Sequence, residues 1–337
     1  MGAVAIKDEA TWLSLRDSYV GGSEIASLFY QWQYADGSVA VHHLYETPED
    51  ASARLIGCLS NFRSGYRLWM EKAGRLPPED LSEVDRVRAG QFLEPAIAEW
   101  ARSKWADWGG SIRKVRRYMT HPTVDGWGAS LDYEIVATGM PPVEIKTADA
   151  HYVRDAWTVD GDEIVMPPLP YVLQLQHQMG AVDAPHGWIV ALVGGNQLMR
   201  GKIARHEPTQ QRIADAISAF WRGVREGVEP TWLAEYETTA KVYAYGDKAA
   251  AADLTADAEM PALCERYLER KAALVELETE VEGIKGQIAS RLGEATKATT
   301  TGYRLSWPVM TREEKIIPER IQKALTYRGG LTIKREA

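Results

Sequence analysis

The chain has 337 residues, 45% hydrophobic and 26% charged, enough apolar material for one large domain and a smaller appendage. No apolar run approaches the roughly 20 residues that cross a bilayer, and Met1 to Ala10 holds no apolar secretory core, so a cytoplasmic protein with no membrane attachment is expected. Two distant cysteines, Cys58 and Cys264, exclude a disulfide framework and a four-cysteine iron–sulfur cluster, and a net charge of −8 argues at first against a polyanionic partner.

Residues 1–230 read as a mixed α/β domain. Arg86 to Trp105, with Phe92, Leu93, Ile97, Trp100 and Ala101 as its apolar positions, fits an amphipathic helix that Pro95 starts or kinks. A basic run follows, Arg113, Lys114, Arg116 and Arg117, which partly offsets the acidic balance. Tyr118 to Val136 and Val143 to Thr147 supply strands, Pro170 to Gly180 a helix, Gly187 to Val193 a buried strand and Pro208 to Gly227 another helix. This alternation predicts an α/β fold, a central mixed sheet flanked by helices. Trp12, Trp100, Trp188 and Trp221 sit at apolar-periodic positions and belong in the core, while Trp32, Trp105, Trp108 and Trp157 stay open as substrate contacts.

After Pro230 the character changes. Residues 231–253 read as a linker and 254–337 as a helical arm with a small basic tail. Leu274, Leu277, Val281, Ile284 and Ile288 follow a three-and-four spacing, the pattern of a short coiled coil or a helical hairpin arm, weakened by Gly283 and Gly286. The strand-like Gly302 to Trp307 and a segment with Arg312, Lys315, Arg320 and Lys323 complete the chain.

The stretch richest in chemistry is Ser130 to Thr147. It reads as two short strands joined by a turn over Thr138 to Pro142, whose Gly139, Pro141 and Pro142 suit no helix interior. In the second strand Val143, Ile145 and Thr147 point to one face while Glu144 and Lys146 share the other, and Asp132 lies across from Glu144. Carboxylates at adjacent strand ends can hold a hard divalent cation, and a nearby ammonium can orient a water on it, which is the chemistry of phosphodiester hydrolysis. An exposed hairpin with scattered charges would carry the same letters.

Four further segments stand in order with this one: Arg16 with Gly21-Gly-Ser-Glu-Ile25, Gly90-Gln-Phe-Leu-Glu94-Pro95, Ala129-Ser130, and Tyr171-Val-Leu-Gln174-Leu-Gln176-His-Gln-Met179. Together, over about residues 10–225, they resemble the YqaJ-type viral recombinases, relatives of the phage lambda exonuclease in the Asp…(Asp/Glu)-x-Lys nuclease superfamily. The resemblance implies a restriction-endonuclease-like core and a metal-dependent DNA exonuclease that degrades one strand of a linear duplex from its 5′ end, leaving 3′ tails for recombination. It also implies two Mg²⁺ ions, or Mn²⁺, held by Glu94, Asp132, Glu144 and the carbonyl of Ile145, with Lys146 orienting the attacking water. Arg16, Ser23 and Ser130 match the contacts to a terminal 5′ phosphate, and Gln174 or Gln176 a further one, with Gln176 slightly favoured. His177 reads as a residue that supports the ligands or packs behind them rather than as a ligand. Double-stranded DNA ends, a single-strand annealing protein and a ring-like homo-oligomer are the implied partners. The chain departs from many relatives in having Tyr133 and Glu134 after the aspartate, where a glycine is common. An additional upstream acid has Asp125 as its nearest candidate, though a turn before Gly126 suits Asp125 better. The rival from another class is a non-catalytic DNA-binding or recombination-assembly protein that keeps this fold.

Overall fold

The computed structural model describes residues 2–5, 9–245 and 250–309. In chain order the elements are β1 (Gly2–Ala5), α1 (Glu9–Ser18), a 3-10 turn (Ile25–Leu28), β2 (Phe29–Gln33), β3 (Val39–His43), β4 (Arg54–Cys58), α2 (Gly65–Lys72) and α3 (Asp85–Lys104). There follow β5 (Ser111–Lys114), β6 (Arg117–Thr120), β7 (Gly128–Ser130), β8 (Tyr133–Val136), β9 (Pro142–Ala148), α4 (Ala150–Ala156), β10 (Thr158–Asp160) and β11 (Glu163–Met166). The series ends with α5 (Leu169–Val182), β12 (His186–Val193), β13 (Gln197–Ala204), α6 (Glu207–Glu226), a 3-10 turn (Thr231–Leu233), α7 (Tyr236–Val242), α8 (Met260–Leu292), β14 (Lys297–Thr300) and β15 (Tyr303–Ser306).

Among the described residues, the main sheet has seven strands in the order β10-β11-β13-β12-β9-β8-β5. It is mixed: β9 and β12 run parallel, as do β11 and β13, while β12 with β13 and β8 with β9 are antiparallel. β9 and β12 are central strands, and β12 is almost wholly buried, which explains its unbroken apolar text, Trp-Ile-Val-Ala-Leu-Val. One face of the sheet, with Val143, Ile145, Val190 and Leu192, packs on Ile97, Ala98 and Ala101 of α3. The other carries Ile189, Ala191 and Val193. Each fully buried Ile or Leu here stabilises the fold by about 1.5–3 kcal/mol. The expected mixed sheet with flanking helices is therefore present.

Two small sheets accompany it, β1-β6-β7 and β3-β2-β4, so the stretch Tyr118 to Val136 is divided between sheets rather than being one ladder. The kink falls at Leu131-Asp132, between β7 and β8. α6 buries Ile213, Ile217, Phe220 and Trp221 at helical spacing and ends at Gly227, whose φ of 69° suits glycine, with Val228 N–H returning to the Gly223 carbonyl.

Several expectations need correction. α3 continues through Pro95, which therefore does not start it, and buries a narrow stripe, leaving Phe92 78% and Trp100 40% exposed, so Trp100 is not core. Trp108 and Trp157 are buried and cannot serve as open stacking platforms, and Trp108 packs edge-on against Trp188 at 5.0 Å. Residues 231–242 are not linker: they form the second 3-10 turn and α7, which packs on α2. The chain divides into compact units at 242/243. The second unit holds α8 and the β14–β15 hairpin. The Trp12 side chain and the basic segment from Arg312 lie outside the described residues.

Candidate active site

The antiparallel ladder between β8 and β9 pairs Tyr133 with Val143 and Glu134 with Pro142, and goes no further. The turn joining them places Gly139 and Met140 at positive φ, with Ile135 N–H donating to the Pro141 carbonyl. Where pairing stops, Asp132 turns its carboxylate onto β9 and accepts the Ile145 N–H at 2.9 Å. Because N–H and C=O of one strand residue point to the same edge, the Ile145 carbonyl also faces this gap. The Asp132 carboxylate thus stands where the next pair of strand hydrogen bonds would have formed.

Glu144, buried at 4% exposure, faces α5. Its Oε1 meets Lys146 Nζ at 2.6 Å and Gln174 Nε2 at 2.6 Å, and its Oε2 accepts from Gln178 Nε2 at 2.5 Å. Gln174 Oε1 in turn accepts from Lys146 Nζ at 2.9 Å, closing a ring of lysine, glutamate and glutamine. Burial opposes the Lys146 charge, but Glu144 above all, then Asp132, outweigh it and hold its pKa above the usual lysine value. Asp132 is pushed up to about 8, first by burial, then by the charges of Glu144 and Glu94. Glu94, projecting from α3, forms an ion pair with Lys114 of β5.

Among the described residues no group of three acidic, histidine or cysteine side chains is already closed to metal-binding distance. The donor set nevertheless fits a hard divalent cation. Buried Glu144, half-buried Asp132 on which Glu144 and Glu94 act electrostatically, and a carbonyl at a strand gap are all oxygen donors that a cation would relieve. Glu94, Asp132, Glu144 and Ile145 are the residues that would hold it.

The glutamines separate cleanly. Gln174 and Gln178, one helical turn apart, share the face toward Glu144. Gln176 points elsewhere: it donates to the Ala204 carbonyl at 2.8 Å and accepts from His206 N–H at 3.1 Å and from Gln210 at 2.9 Å, joining α5 to the start of α6. Its side chain is taken up in joining these two helices, so the geometry favours Gln174 over Gln176 as the glutamine beside the carboxylates. Gln178 was missed, although its spacing of four from Gln174 was there to find it.

Arg16 lies in the last turn of α1 and pairs with buried Glu24 at 3.2 Å. Arg63 and Lys72 reach the same carboxylate at 3.1 and 3.0 Å, and the Gly21 N–H donates to it at 3.0 Å. Burial would raise the Glu24 pKa, but Lys72, Arg16 and Arg63 together bring it down to about 2. Arg63 is shared with Glu71 at 2.9 Å. Ser23 is exposed in the turn between these groups, and Ser130 is exposed at the end of β7. Val20 bridges Trp127, just before β7, and its carbonyl meets His177 Nε2 at 3.1 Å. Burial lowers the His177 pKa to about 3, so it is a neutral packing residue.

The Gly21-Gly22 turn brings this cationic cluster to α5. A Cβ on Gly22 would sit 3.4 Å from Gln174 Cγ and 3.5 Å from Gln178 Cγ, so the turn rests on the two residues that hold Glu144. Glu134 is buried under Arg113 and Arg117, with Arg117 Nη2 to Glu134 Oε2 at 2.8 Å. Half of the basic run is thereby committed to an internal carboxylate. Asp125 is exposed, 3.5 Å from Arg225.

Residues 50–184, which include β8, β9, α3 and α5, match the model of the YqaJ-like viral recombinase domain. Among solved structures it is similar to an alkaline exonuclease from Laribacter hongkongensis, at 18% identity and a TM-score of 0.43, covering 65% of this chain and 94% of that one. The same enzyme in complex with dAMP gives 17% identity and a TM-score of 0.43, covering 66% and 95%. Comparison with curated proteins gives no match. The YqaJ-like segment contains Glu94, Asp132, Glu144, Lys146, Gln174 and Gln178, and α8 lies outside it.

Proposed function

We propose that this YqaJ-like protein is a metal-dependent DNA exonuclease that degrades one strand of a linear duplex from the 5′ end, leaving 3′ single-stranded tails for recombination. The observation that carries the reading is the convergence of Asp132 and buried Glu144 with Lys146 at the end of the β8–β9 ladder, with the charge of Glu94 acting on Asp132. Glu94, Asp132, Glu144 and the Ile145 carbonyl would hold Mg²⁺. When bound, such an ion polarises a phosphate oxygen and makes a coordinated water more acidic. Lys146, held as an ammonium by Glu144, donates hydrogen bonds that orient the attacking water. Gln174 and Gln178 fix both oxygens of Glu144 so that it keeps one orientation.

Arg16, Ser23 and Ser130 are proposed to hold the terminal phosphate. Around Glu24 three cations face one carboxylate, and a guanidinium grips phosphate through two parallel hydrogen bonds. The Gly22 contact with Gln174 and Gln178, the residues that hold Glu144, supports a grip near the carboxylates.

The test is incubation of purified protein with linear duplex carrying or lacking a 5′ phosphate, in Mg²⁺ and in chelator. Mg²⁺-dependent shortening that starts at 5′-phosphorylated ends is expected. Binding without shortening in Mg²⁺ or Mn²⁺ would favour an assembly protein that retains the fold.

A further inference from the structure

α8 is 33 residues long, about 50 Å at 1.5 Å per residue, and no residue in it is buried. Leu274, Leu277, Val281, Ile284 and Ile288 are 54%, 57%, 42%, 48% and 39% exposed on one seam. A helix of this kind is marginal by itself and gains its stability by burying that stripe. The spacing is a strict heptad. Position a is taken by Met260, Tyr267, Leu274, Val281 and Ile288, and position d by Leu263, Arg270, Leu277, Ile284 and Arg291. Gly283 and Gly286 fall at c and f, away from the seam, so they leave its packing surface intact. A seam repeating every 3.5 residues matches another helix of the same period, and the charges beside it say which one.

We infer that α8 pairs with α8 of a second copy of this chain as an antiparallel two-stranded coiled coil. In a parallel pair Arg270 would face Arg270 and Arg291 would face Arg291 in the seam, and Arg266 at g would lie beside Lys271 at e. Only Glu280 with Lys285 would be favourable. Reversing one helix about the Leu274–Leu277 layer removes each conflict. Arg270 then lies across from Val281 and Arg291 across from Met260, so their aliphatic stems cover apolar surface while the charged heads reach solvent. Lys271 at e then faces Glu278 at e of the second copy, twice by symmetry, and no like-charged e or g pair remains. Charge complementarity thus selects both the occupant and its direction.

The experiment uses the full-length protein and reads its mass by sedimentation across concentration. Leu277→Asp is expected to abolish the association that α8 supports. The decisive variants are charge swaps at exposed positions that leave the helix intact. Lys271→Glu should weaken association about tenfold by turning two attractions into two repulsions, and Lys271→Glu with Glu278→Lys should restore it. Stronger association of Lys271→Glu would establish the parallel pair and overturn the proposal, because that change removes the Arg266–Lys271 conflict. An unchanged mass for both Leu277→Asp and Lys271→Glu would show that something other than a second copy covers the stripe, and would equally overturn it.

Discussion

Gln178 donates its amide N–H to Glu144 Oε2 across 2.5 Å, in a part of α5 that solvent does not reach. Under the proposed reading it positions a carboxylate and does not touch DNA. Gln178→Ala should lower Mg²⁺-dependent digestion, or the affinity for Mg²⁺, by about 10- to 100-fold, the usual cost of losing the partner that orients a ligand. A Mg²⁺ titration of activity alongside a melting curve checks this. An unchanged Mg²⁺ dependence in a folded variant would reduce Gln178 to packing.

Gln174 and Gln176 should behave oppositely. Gln174 bridges Glu144 and Lys146, so Gln174→Ala should impair digestion with little loss of stability. Gln176→Ala leaves the His206 N–H without its side-chain acceptor and should cost about 1–3 kcal/mol in denaturant unfolding, with kcat near native.

Asp132→Asn keeps an acceptor for the Ile145 N–H but removes a carboxyl whose ionisation burial, Glu144 and Glu94 all oppose. In chelator above about pH 8, where Asp132 is ionised, the variant should melt higher than the native protein, by about 2–4 °C for each kcal/mol of repulsion relieved, and the difference should fade as pH falls below 8 and Asp132 takes up its proton. Its digestion of duplex in Mg²⁺ should fall by orders of magnitude, as should that of Lys146→Ala. Native-rate digestion by Lys146→Ala would remove that lysine from the site.

Glu24 sets an acid limit on stability. Its pKa falls from 4.5 to about 2 on folding, so the stabilisation is complete above about pH 4.5 and is lost as pH drops toward 2. Glu24→Gln should cost about 3 kcal/mol at pH 7, because it leaves buried cations unbalanced, and should flatten the dependence between pH 5 and 2. Urea unfolding at several pH values separates the two curves.

Arg16→Ala should erase most of the preference for 5′-phosphorylated over 5′-hydroxyl duplex while leaving Mg²⁺ dependence intact, since the carboxylates are untouched. Equal preference in the native and altered proteins would take Arg16 out of the end pocket, and digestion from 3′ ends would overturn the polarity.

The strand period around Glu144 was legible because it is local: alternation over five residues decides which side chains share a face, and the Glu144–Lys146 contact follows from it. The glutamines were half legible. Residues two apart on a helix cannot share a face, so Gln174 and Gln176 were never equivalent, and the helical period pointed to Gln178. Arg63 and Lys72 carry no such signal, since only tertiary packing brings them to Glu24 across dozens of residues. Phe92 and Trp100 mislead for the reverse reason. Their spacing is that of a buried stripe, yet the sheet accepts a narrower one built on Ile97, Ala98 and Ala101, and the two aromatics stay outside. Glu134, which looked like a departure, is a buried anchor for Arg113 and Arg117.

The contact of Gly22 with α5 has a consequence for the products. Gln174 and Gln178 occupy a single turn of a rigid helix, and the turn bearing Ser23 is seated on that same turn. Under the proposed reading, the span from a gripped chain end to the hydrolysed bond is a molecular ruler with no hinge along its length. Such a ruler admits one distance, so successive cuts should release fragments of a single uniform size rather than a spread.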